Sequence, residues 1–186
     1  MKGMSFDMKT IEDYILNEDN YIKKLENVYY WKKVEGIYFD NSVLLKTELA
    51  RMFIETMNLD VDKNLVITSC LLYSCKKDRK ESEKLRNYFY VSEGKEYLEK
   101  IGFSEKVCEI CENMRREKTN KNRPKECDII ELVDNFGGLV LNREDRMGYS
   151  IDEALNLLVN RNLKNKNNIY LEKFKEFINI EEGVKI

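Results

Sequence analysis

The chain has 186 residues, 42% hydrophobic and 35% charged, with 32 basic and 34 acidic side chains. This is a globular composition with room for one well-formed core, and a net charge of −2 argues against a nucleic-acid polymer as partner, since phosphate contacts need a basic face. One proline and eight glycines leave long helices uninterrupted, so an all-α fold is expected, and the absence of any histidine excludes imidazole catalysis and His-ligated zinc or iron.

The opening MKGMSFDMK lacks the apolar core of a secretory signal, and no apolar run reaches membrane-spanning length. A cytoplasmic protein with no membrane partner is the expectation. Residues 10–35 place Ile11, Tyr14, Ile15, Ile22 and Leu25 at helical spacing, as two helices broken near Asn17–Asn20. Tyr29, Tyr30 and Trp31 read as an aromatic anchor, for core packing or for docking.

Asp40-Asn41-Ser42 offers capping side chains to a helix whose stripe is Leu45, Leu49, Met52, Phe53 and Met57. Asp62 starts the next helix, which is apolar nearly all round from Leu65 to Leu72 and therefore central. The strand-prone run YFYV, residues 88–91, reads as the approach to a helix beginning near Ser92. Ser104 opens a helix bearing Val107, Cys108, Ile110 and Cys111, and a polar loop, KTNKNRPKE, precedes one that starts near Glu126.

That helix closes in VDNFGGLVLNREDRMGYS, the most structured stretch of the chain. Ser150 and Glu153 form a capping box for the helix of Ala154, Leu155, Leu158 and Val159. A last amphipathic helix carries Tyr170, Phe174, Phe177 and Ile178. Five cysteines suit free thiols in a reducing compartment. Cys108 and Cys111, with Cys70, Cys75 and Cys127 within reach, allow either a zinc site or core packing, and packing is the more ordinary use of cysteines on apolar helices.

The stretch DIIELVDNFGGLVLNREDRMGYSIDEALNLL resembles the closing segment of HD-GYP domains, the branch of the HD phosphohydrolase superfamily that hydrolyses cyclic di-GMP. Asp134, Phe136, Leu139, Arg143, Arg146, Ser150, Glu153, Ala154 and Leu155 keep the family's residue types and spacing. Upstream, LNLDVDKNLVITSCLLYSCKK is similar to the helix ending in L-L-H-D-I-G-K, and MRREKTNKNRP has the length of H-H-E-x-x-D-G-x-G-Y-P.

The resemblance covers about residues 41 to 160 and implies an HD-like helical bundle with helical extensions at both ends. On that reading residues 1–186 form a single HD-like domain. Residues 1–40 are an N-terminal helical extension, 41–164 the bundle and 165–186 a C-terminal helix.

In the family, histidines and carboxylates hold two or three metal ions that activate water. Here the corresponding positions are Asn41 and Ser42, the pair Tyr73 and Ser74, then Tyr90, then Met114, Arg115 and Arg116. Asp134 alone survives as a ligand, with Lys77 at the position of the family's lysine. One carboxylate cannot hold a di-metal centre. The resemblance therefore implies a catalytically inactive protein without metal or other cofactor, acting as a regulatory or scaffold module in a bacterial cytoplasm through a protein partner or as a homodimer.

An alternative is a sensor of an anionic cyclic dinucleotide using Lys77, Arg115, Arg116, Asp134, Arg143 and Arg146, because guanidinium groups bind phosphate bidentately. Against that stands a structural repair in which an arginine simply pairs with the orphaned Asp134. A residual phosphohydrolase with a rebuilt metal site is a third reading.

Overall fold

A computed structural model describes residues 10–75, 89–114, 123–143, 146–164 and 166–183, and the side chains of residues 89–93 and 182–183 fall outside it. Among the described residues the regular structure is helical: α1 (Ile11–Ile15), α2 (Tyr21–Val34), α3 (Ser42–Thr56), α4 (Lys63–Leu72), α5 (Phe89–Lys100), α6 (Glu105–Asn113), α7 (Glu126–Val140), α8 (Ile151–Leu157) and α9 (Leu171–Gly183). A π-helical turn, Leu158–Asn162, extends α8. The fold is all-α, and no described helix is long and apolar enough to cross a membrane.

Short polar side chains set the helix starts. Thr10 and Asp13 form a capping box on α1, Asn20 accepts from the Lys23 amide, and Asp62 accepts from the Leu65 amide. The expected Ser150–Glu153 box is present, with the Glu153 amide 3.3 Å from Ser150 Oγ and the Ser150 amide 3.1 Å from Glu153 Oε2. Ser104 opens α6 as expected, but its side chain makes no capping hydrogen bond; its amide donates to Glu12 Oε1 at 3.0 Å, tying α6 to α1. The helix expected near Ser92 starts at Phe89, so YFYV lies mostly inside α5.

Helix α4 is buried on every side from Leu65 to Leu72, packed among α2, α3, α6 and α7. Helix α9 is part of the core rather than an appendage, since Phe174 lies edge-on to Phe53 at 5.1 Å and to Phe136 at 5.4 Å. The aromatic trio of α2 splits. Trp31 is buried against Tyr97 and Phe103, while Tyr29 and Tyr30 stay exposed.

The inward face of α3 is rotated from the expected stripe: of Leu45, Leu49, Met52, Phe53 and Met57, only Phe53 is fully buried, and the others are partly covered. The buried residues are Val43, Lys46, Thr47, Ala50, Phe53 and Ile54. That rotation buries a lysine, and two more lysines are buried on α2. Lys24 Nζ donates to the carbonyls of Ile15 (2.6 Å) and Leu16 (2.9 Å) and to Thr68 Oγ1 (3.1 Å), sealing the open C-terminus of α1. Lys32 Nζ donates to the Leu71 carbonyl at 3.1 Å, near the end of α4, with its charge over the Phe39 ring.

Candidate functional site

Asp134 is the residue on which the sequence converges, and three helices deliver groups to it. It stands on α7, and α3 brings Lys46, whose Nζ is 2.7 Å from Asp134 Oδ1. The residue closing α4, Tyr73, donates its hydroxyl to the same oxygen at 2.5 Å. Lys46 Nζ also lies 3.3 Å from Tyr73 Oη, so ammonium, phenol and carboxylate form a closed triangle. The side chains of Lys46 and Asp134 are 8% and 23% exposed, so the triangle sits just under the surface, where a charge pair is screened weakly.

The two glycines after Phe136 are what admit this arrangement. A Cβ on Gly137 would stand 2.8 Å from Lys46 Cγ, so the lysine stem crosses α7 through the space a side chain would fill. A Cβ on Gly138 would stand 2.9 Å from an Arg143 guanidinium nitrogen, placing that guanidinium one helical turn beyond Asp134.

Gly137→Ala is expected to cost about 1–2 kcal/mol by forcing the stem aside. Urea unfolding checks this, and the cost should largely vanish in a Lys46→Ala background if the stem is its cause.

The remaining expected positions are mixed. Arg146 is a brace, with Nη2 2.6 Å from the Gly138 carbonyl and Nη1 donating to the carbonyls of Leu139 and Met147 while the group stacks on Tyr149. Arg143 is exposed. Asn41 and Ser42 lie at the start of α3, where Asp40 caps the Ser42 amide, and Lys46 is one turn further on. Ser74 is buried with an unpartnered hydroxyl, and Met114 is a core residue. Lys77, Arg115, Arg116 and the side chain of Tyr90 lie outside the described residues. Among those described, the cation on Asp134 is the unforeseen Lys46, not an arginine.

A metal does not fit this donor set. Asp134 already accepts from an ammonium and a phenol, Met114 offers no hard donor, and no described group of three or more Cys, Asp or Glu is placed to hold an ion.

A second polar cluster went unseen in the sequence. Arg123, from the loop before α7, pairs with Asp128, lies 3.7 Å from Glu131, and donates to the carbonyls of Asn113, Met114 and Cys127. Asn168 donates to the Asp128 carbonyl and Glu131 Oε2, and the Ile169 amide to Asp128 Oδ2. One guanidinium thus joins the end of α6 to the start of α7, and the two acids it holds bind the approach to α9. The sequence signal was faint, an arginine beside Pro124 with acids at i+5 and i+8.

All five cysteines are free and buried. Burial pushes the thiols of Cys70 and Cys127 up to about 12 and that of Cys108 up to about 11, and holds Cys111 well above the usual range. These are packing residues with little thiolate, so Ellman's reagent is expected to find almost no reactive thiol at pH 8 in the folded protein and five after denaturation.

Raised thiols also set a pH limit. Their stabilisation is complete below the unfolded value of about 8.5 and is lost as pH rises toward the folded values. Lys24, lowered by burial to about 8, and Lys32, lowered likewise, run the other way, because their burial cost fades above pH 8. Four thiols outweigh two lysines, so the urea midpoint is expected to fall between pH 8.5 and 10.5.

Comparison with known proteins finds no matching family model, no matching curated protein and no matching solved structure.

Proposed function

We propose that the chain is a catalytically inactive, HD-GYP-like helical bundle that serves as a regulatory or scaffold module in a bacterial cytoplasm. The observation that carries this reading is the contact of Tyr73 with Asp134. The resemblance assigns both positions to metal ligands of the family, and two residues 61 apart in sequence meet side chain to side chain. What they hold between them is Lys46, an ammonium that cannot activate water.

The test is hydrolysis of cyclic di-GMP with added Mn²⁺. The rate is expected to match that of an Asp134→Asn variant. Turnover that needs Asp134 and is stopped by a chelator would restore the hydrolase reading. One observation favours a second reading, the exposed Arg143 guanidinium lying against Gly138 beside Asp134. Saturable heat on titration with cyclic di-GMP, lost in Arg143→Ala, would establish a nucleotide sensor instead.

A further inference from the structure

We infer that the ammonium of Lys46 is a built-in replacement for a bound cation, so that this position is a cation site which the chain fills from its own α3. This deepens the inactive-site reading and rests on it.

Three observations meet here. Asp134 Oδ1 accepts from two donors, Lys46 Nζ at 2.7 Å and Tyr73 Oη at 2.5 Å, so side chains from three helices converge on one carboxylate oxygen. The lysine is 6% exposed and reaches that point only because Gly137 leaves its stem a channel across α7. Its neighbours on the buried face of α3, Val43, Thr47, Ala50 and Phe53, are uncharged core residues, so Lys46 is the one charge on that face. A lysine is seldom buried unless its charge is needed where it ends. Here it ends on the one acid that the resemblance makes a metal ligand.

Two consequences follow. Folding of the bundle requires no divalent ion, since the charge that would neutralise Asp134 is covalently supplied. Removal of the lysine side chain should leave a stem-shaped space, closed at its end by Asp134 and Tyr73, with the size and polarity for a small primary ammonium ion.

The experiment is chemical rescue read as a melting temperature. Lys46→Ala is expected to melt roughly 5–10 °C below the unaltered protein. Millimolar n-propylammonium should restore part of that loss, whereas n-propanol, which has the stem without the charge, should not. Lys46→Glu brings a second carboxylate along the same channel toward Asp134, and Mn²⁺ should raise its melting temperature while leaving the unaltered protein unmoved. This variant also decides the matter if Lys46→Ala does not fold.

A Lys46→Met variant that melts with the unaltered protein would overturn the inference, because the ammonium would then contribute nothing. So would propanol rescuing as well as propylammonium, or loss of stability of the unaltered protein in a chelator. Cyclic di-GMP hydrolysis is a separate readout, so the rescue can fail while the inactive-site reading stands.

Discussion

Replacing Arg123 with methionine is expected to destabilise the fold by about 3–5 kcal/mol, a large share of a small domain's stability. The arginine and its two acids are nearly buried, with side chains 9%, 9% and 4% exposed. Methionine preserves much of the stem but removes the buried guanidinium from between Asp128 and Glu131, three residues apart on α7. Lys166 cannot take over, because its Nζ is 4.0 Å from Glu131 and more than a third exposed. Three carbonyls, of Asn113, Met114 and Cys127, lose their donor as well.

Urea unfolding measures the loss. Adding Asp128→Asn and Glu131→Gln should recover part of it, by removing the stranded charges. If Arg123→Met costs under about 1 kcal/mol, the cluster is not a staple, and the corner between α6 and α7 is held by Cys127 and its apolar neighbours.

The second large effect is expected at Gly148, where alanine should cost about 2–4 kcal/mol. The loop after α7 folds back on the helix, with the Tyr149 amide donating to the Leu139 carbonyl and the Gly148 amide to Asn142 Oδ1. A Cβ at Gly148 would collide with the carbonyl of Val140, and backbone cannot swing aside as the Lys46 stem can. The damage should be local to this loop. Hydrogen exchange at the Tyr149 amide should accelerate in the variant well before amides of α4 do. Equal acceleration throughout would mean that the loop and the bundle open as one unit.

Features that depend on near neighbours are legible in the amino-acid sequence itself. The Ser150–Glu153 box, the Asp62 cap and the all-round burial of α4 each follow from a few adjacent residues. The inward face of α3 is only partly legible from apolar spacing, which gives Phe53, because the chain turns Lys46 inward and leaves Leu45, Leu49 and Met52 only partly covered. That choice is made by a partner 88 residues away. A clue does exist: Val43, Lys46, Thr47, Ala50, Phe53 and Ile54 keep helical spacing with a single charge among them, and two consecutive glycines stand beside the lone site carboxylate. Arg123 is hidden differently, in a polar loop where a buried guanidinium looks like any solvated one.

The two ion clusters along α7 also differ in how much chain must be organised before they form. Arg123 reaches Asp128 across five residues, whereas Lys46 reaches Asp134 across 88. Closing the short loop costs little entropy and closing the long one costs more, so the α6–α7 corner is placed to assemble early and the docking of α3 on Asp134 late. In stopped-flow experiments, mild substitutions at Asp128 should then mainly slow folding, while substitutions at Lys46 should mainly hasten unfolding. The helix that carries both acids would bear the folding nucleus at one end and the last bolt of the native state at the other.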